Sequence, residues 1–128
     1  MLILSVFLLA SVAFAIDFGN LWFRRQAVQK AADAACEAGA MDMLYAAQGT
    51  SLPNMGFTPG VAGNCGSSSS ATICTYAKFN GLTASSGGFS STAESVGVSW
   101  SFPASTSVSG VSAPSGVSYP FLKVLIEE

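Results

Sequence analysis

The first sixteen residues, MLILSVFLLASVAFAI, are apolar apart from Ser5 and Ser11, and Asp17 is the first charge in the chain. Apolar character resumes with Phe18, Leu21, Trp22 and Phe23, and the run closes on Arg24 and Arg25. As a helix the first sixteen residues extend about 24 Å, and the run to Phe23 about 34 Å, enough to cross a bilayer core. An aromatic pair followed by two bases is the pattern of a membrane stop at an interfacial belt. The periodicity then changes. Lys30, Asp33 and Glu37 fall at i, i+3 and i+7, one solvated stripe, while Ala27, Ala31, Ala34, Ala35, Ala38 and Gly39 leave the other faces nearly bare. Such small side chains let a sheet or a second helix approach closely. Helix propensity fades only at Gly49, with Pro53 beyond it as a stop. The pattern therefore predicts one helix from Met1 to Gln48, about 70 Å long.

Beyond Gly49 the chain turns to Gly, Ser, Thr and Pro, and the runs GNCGSSSSAT, TASSGGFSST and PASTSVSGVSAPSG read as surface loops between short elements. A short helix is expected over Ala71–Phe79, ended by Asn80-Gly81. The clearest strand is Glu94–Phe102, with Val96, Val98, Trp100 and Phe102 on one face. Weaker strands are expected over Ser105–Val111 and Val117–Ile126, where Leu122, Val124 and Ile126 alternate with Phe121, Lys123 and Leu125. These make a small antiparallel sheet whose apolar face must be covered, and the alanine-rich half of the long helix is the long surface that can do so. The fold class is α+β. Residues 1–23 form a hydrophobic helix for a membrane or filament core, 24–48 its continuation packed on a globular part, and 49–128 a small extracellular β-domain.

Charged residues make up only 9% of the chain and the formal net charge is -2, the composition of an exported structural protein. Five basic residues, three of them on the long helix, are too few and too scattered to hold a nucleic-acid backbone. The chain has no histidine, which removes the ordinary catalytic triads, histidine metal sites and the commonest general base. Asp33 and Glu37 are the one close acid pair, and a solvated helix face beside Lys30 accounts for them better than a glycosidase dyad. No enzyme, cofactor or metal site is expected.

Of three cysteines, Cys65 and Cys74 are the better pair, closing a short loop in an oxidising compartment, with Cys36 a small packing residue on the helix. The competing pairing, Cys36 with Cys74, staples the helix to the domain. Ser67, Ser68, Ser69 and Ser70 admit two readings, O-glycosylation of a filament surface or a plain flexible loop.

The motif Asp17-x-Gly19, then Arg24, then Val28-Gln29-x-Ala31-Ala32-Asp33-Ala34-Ala35, then Ala38-Gly39-Ala40, resembles the TadE/TadG-like proteins of tight-adherence, Flp-type pili. More loosely, Tyr76-Ala77-Lys78-Phe79-Asn80-Gly81-Leu82 resembles the short helix and Asn-Gly turn that often follow. The resemblance implies a pilin-like architecture. It also implies a short basic leader removed by a prepilin peptidase, and a mature chain that leaves the inner membrane to enter or cap a filament through its N-terminal helix. Two departures stand out: Ser5 occupies the place where many type IV pilins have a glutamate, and the sequence stops at Glu127-Glu128, where relatives commonly continue into another strand.

The residues expected to carry assembly are Met1, Phe7, Phe14, Asp17, Phe18, Gly19, Trp22, Phe23, Arg24 and Arg25. The aromatics serve as core packing. Asp17 has two readings. An acid in an apolar helix costs about 2.5 to 3.5 kcal/mol unless partnered. It therefore either meets a neighbouring copy's Arg24, Arg25 or Lys30, an N-terminal amine, or a backbone broken at Gly19, or else it marks the membrane interface. Three functional classes follow: a filament subunit packed against copies of itself, a membrane-anchored minor pilin or assembly factor, and a secreted binding domain whose first residues are a signal peptide. Ala13-Phe14-Ala15 has the form of a cleavage site for the last, although the basic region such a peptide needs is missing. At the other end, Phe121–Ile126 is expected to leave an open strand edge. Either an extended segment of a neighbouring copy or a second polypeptide covers it, or Ser105–Val111 completes the sheet internally.

Overall fold

The computed structural model describes residues 2–66, 70–81, 97–104, 108–112 and 114–127. Helix α1 (Leu2–Ala47) is a single unbroken rod of 46 residues, about 69 Å long, and it continues straight through Gly19. The backbone break expected as one option for Asp17 is therefore not there. The rod ends on the glycine that the pattern singles out: Gly49 takes φ 72°, its N–H donates to the Ala46 carbonyl (3.0 Å) and the Thr50 N–H to that of Tyr45 (2.9 Å). This crossed pair satisfies carbonyls the helix would otherwise leave unpaired, and a side chain at that φ would be strained.

The second half of α1 carries the small head. Ala31, Ala35, Ala38, Gly39 and Asp42 lie on one stripe and are buried, whereas Lys30, Asp33 and Glu37 are exposed on the far side. Gly39 shows why the face is made of small residues. A Cβ built there comes within 2.5 Å of Leu122 Cδ2 and 3.1 Å of Ile73 Cδ1. Helix α2 (Thr72–Phe79) packs here through Ile73, Cys74 and Ala77. Its first N–H, on Thr72, donates to the Asn54 carbonyl (2.9 Å), and its end is closed by Asn80 and by Gly81 at φ 105°.

The sheet has three antiparallel strands in the order β1 (Ala62–Asn64), β2 (Gly97–Ser101), β3 (Lys123–Glu127). Register places Gly63 opposite Trp100 and Trp100 opposite Val124. Val98, Trp100 and Phe102 face the core, joined by Leu122, Val124 and Ile126, and the indole of Trp100 lies directly on the bare backbone of Gly63. Phe57 meets Phe102 edge to face at 4.7 Å.

Three sequence expectations change. Strand β1 lies in a segment read as loop, because its three residues pair without any apolar alternation to announce them. The strand expected over 105–111 is not seen in its described part. Residues 108–112 form a turn around Gly110 (φ 80°), so the sheet is completed by β1 instead, and 105–107 lie outside the described residues. The final strand begins at Lys123 rather than Val117, and the part of the central strand expected before Gly97 also lies outside the described residues.

Strand β3 sits at an edge, but that edge is not left open along its length. The Cys65 N–H donates to Val98 O and the Phe102 N–H to Val61 O, so the even residues of β2 turn their backbone groups toward β1. Alternation then points the odd ones at Lys123, Leu125 and Glu127 of β3. The backbone groups of Val124 and Ile126 face outward, where α1 passes, and the Val124 N–H is directed at the sulfur of Cys36. The rod thus shields part of the edge for which either a neighbouring chain or Ser105–Val111 was the expected cover.

Candidate functional site

The surface that stands out is the half of α1 that the head does not touch. From Ile3 to Phe18 every side chain is exposed, and so are Leu21, Trp22 and Phe23; Phe7 is 68% exposed, Phe14 72%, Phe18 63%, Trp22 56% and Phe23 70%. This is a helix long and apolar enough to cross a membrane, and none of its most apolar stretch is buried within the chain. Exposed apolar surface on this scale marks an interface with lipid or with another protein. Some aromatics are already arranged among themselves: Phe14 stacks on Phe18 with centroids 6.2 Å apart, and Trp22 meets Phe23 edge to face at 6.4 Å.

Of the sequence-selected residues, Phe7, Phe14, Asp17, Phe18, Gly19, Trp22, Phe23, Arg24 and Arg25 all lie on this rod, and Met1 lies outside the described residues. Asp17 is exposed, and among the described residues none forms a hydrogen bond or ion pair with it. Gly19 is half-buried with nothing within 4 Å of where a Cβ would stand, so it opens space on the rod. Arg25 is exposed, while Arg24 is half-buried and engaged within the chain.

Above the rod, Cys65 and Cys74 form a disulfide with Cα atoms 5.5 Å apart, which fastens the end of β1 to α2. Cys36 is the free thiol, half-buried, so it is not paired with Cys74. Burial and the neighbouring Asp33 carboxylate push its thiol above the ordinary range, opposed by the Val124 N–H. Ser70 is exposed; Ser67, Ser68 and Ser69 lie outside the described residues. Among the described residues no three acidic, thiol or imidazole groups are placed to hold a metal ion.

One important residue escapes a reading by periodicity alone. Asp42 is 3% exposed, and its Oδ2 accepts the N–H of Gly56 at 2.7 Å, while the Gly56 carbonyl accepts the Trp100 indole N–H at 3.3 Å. The loop after α1 is thereby tied to both the rod and the sheet. Its signal was present in the sequence, since Asp42 continues the stripe of Ala31, Ala35 and Ala38, where an acid can be tolerated only with a partner.

Residues 1–42 match the family model described as putative Flp pilus-assembly TadE/G-like. The match covers the whole exposed rod and the alanine-rich face on which the head is mounted, the same segment that carries the sequence resemblance. Comparison with curated proteins and with solved structures gives no match for the chain.

Proposed function

We propose that this chain is a structural subunit, a pilin, of an extracellular Tad-like filament of the type IV class. The observation that carries the reading is the exposed apolar rod over residues 3–23, fused without a joint to a disulfide-fastened head and matched by the pilus-assembly family model. Before assembly the rod lies in the inner membrane, where its length suits the bilayer. In the filament the same side chains pack against copies of themselves and the Ser/Gly-rich heads coat the outside. A prepilin peptidase and the pilus machinery are the partners that such a path requires. The role is structural, with no catalytic residue. A membrane-anchored minor pilin or assembly factor is the second reading, favoured by the assembly wording of the matched family.

Negative-stain microscopy of sheared surface material, with a label on the head, tests this. Long fibres labelled along their length are expected. Label confined to membrane fractions or fibre tips transfers the chain to the second reading, and a soluble secreted monomer overturns both.

A further inference from the structure

On one flank of the head, α1, α2 and the loop that follows α1 enclose a groove of about 400 Å³. Glu37, Met41 and Tyr45, on successive turns, form its α1 wall, Tyr76 stands on the α2 side and Leu52 on the loop side. Asp42, the buried acid that anchors Gly56, lies at its floor. The Gly56 N–H holds Oδ2, and no described residue donates to Oδ1. Among the described residues every side-chain oxygen sealed from solvent has a partner, so Oδ1 borders open space, and the groove is the space that Asp42 lines. No lysine or arginine lines the groove. The chain's five bases, Arg24, Arg25, Lys30, Lys78 and Lys123, all lie among the described residues, so no other part of the same copy carries one to supply.

Two carboxylates, two tyrosine rings and aliphatic walls select an occupant by its chemistry. An anion is repelled. A purely apolar side chain would shut Asp42 Oδ1 away from water without giving it a donor, which is costly. A guanidinium or ammonium on an aliphatic stem meets every wall: it donates to Glu37 and Asp42, sets its charge against the rings of Tyr45 and Tyr76, and lays its methylenes along Met41 and Leu52. We propose that this groove is a docking site for an arginine or lysine side chain presented by an apolar segment of a second, different polypeptide.

The surface around the groove is why the cation comes on a chain rather than as a free amine. Met41, Leu52 and Tyr76 are exposed at the rim, and apolar surface continues to Leu44 on α1 and to Phe79, whose ring meets that of Tyr76 edge to face at 6.3 Å. A small amine leaves this apron in water, whereas apolar residues flanking a base on a peptide cover it. A copy of the same chain does not bring such flanks with its charge. Lys123 is bordered by Leu122 and Val124, which face their own core, and Lys78 by the buried Ala77. Phe79, next to Lys78, points elsewhere around α2, since adjacent residues on a helix do not share a face.

The test uses the full-length chain in detergent micelles with isotope-labelled tyrosine rings followed by NMR. Tyr45 and Tyr76 line the groove, and the third tyrosine, Tyr119, packs beside Gly60 and serves as the control. Titration with a capped leucine–arginine–leucine tripeptide to millimolar concentration should shift the Tyr45 and Tyr76 signals and leave Tyr119 in place. The same peptide with citrulline for arginine, nearly the same in shape but uncharged, should bind about tenfold more weakly, and it controls for uptake by the micelle. Glu37→Gln, at an exposed position that leaves the fold intact, should weaken the arginine peptide about threefold. Unmoved Tyr45 and Tyr76 signals, equal shifts by the citrulline peptide, or binding indifferent to Glu37→Gln overturn the proposal. Signals that move on dilution of the chain alone, and no longer do so in Lys78→Gln or Lys123→Gln, assign the groove to a second copy and overturn the separate partner. Each of these results leaves the filament reading to its own test by microscopy.

Discussion

Removal of the Asp42 carboxylate is the sharpest probe of how the head is held to the rod. In Asp42→Ala the Gly56 N–H loses its 2.7 Å acceptor in a part-buried position, and the loop it anchors retains its links through Trp100 and through Thr72 to Asn54. A hydrogen bond to a charged group contributes about 1.5 to 3 kcal/mol, so a loss of about 2 kcal/mol is expected. Asp42→Asn keeps an oxygen acceptor but not the charge and should lose about 1 kcal/mol. The measurement is urea unfolding of the full chain in detergent micelles, followed by tryptophan fluorescence in a Trp22→Phe background so that Trp100 alone reports on the head. With a slope of about 1 kcal/mol/M for a domain this small, the midpoint should fall by about 2 M for alanine and about 1 M for asparagine. An alanine midpoint within about 0.5 M of the parent, at unchanged slope, would refute the anchoring role and show that the Gly56 N–H finds an equal partner elsewhere.

The disulfide closes a ten-residue loop from Cys65 to Cys74, and loop-closure entropy assigns it about 2.7 kcal/mol, so Cys65→Ala with Cys74→Ala should lose that much in the same unfolding assay. Peptide mapping should release the Cys65 and Cys74 peptides from one another on reduction; finding either joined to Cys36 would contradict the pairing. For Cys36, the raised thiol means less thiolate at a given pH, so alkylation should be slower than in the urea-unfolded chain and its pH–rate curve displaced upward. Because the fold favours the protonated thiol, the head should also lose stability only as pH rises past the ordinary thiol range, with no effect below it. Asp33→Asn should move the curve partly back, and a curve unmoved by folding would remove burial as the cause.

The rod was legible because its signal is long and redundant. Sixteen residues that are apolar apart from two serines, then a run of alanines, then glycine at the stop, all point to one element, and α1 ends within a residue of where the pattern places it. The partner set of the central strand was readable too, since Val98, Trp100 and Phe102 alternate cleanly. What escaped was held by single tertiary contacts. Strand β1 pairs through backbone alone, so Ala62, Gly63 and Asn64 carry no pattern, and Gly63 is small because Trp100 needs the room, which is a fact about residue 100. The edge of β3 looked open in sequence because nothing in Phe121–Ile126 reveals that the rod returns beside it at Cys36. That the residues expected to carry assembly from Phe7 to Arg25 share one rod emerges only once α1 is known to run without a break from Leu2 to Ala47.

Among the described residues the buried core contains none before Ala31. If the chain is the proposed filament subunit, transfer of residues 3–23 from lipid to a bundle of like helices would exchange one apolar surrounding for another while the packing of the head persists. Extraction becomes a change of solvent rather than a refolding step. The free energy that decides whether a copy stays or leaves resides in what differs between those surroundings, above all the fate of the one acid, Asp17, embedded in the oily length.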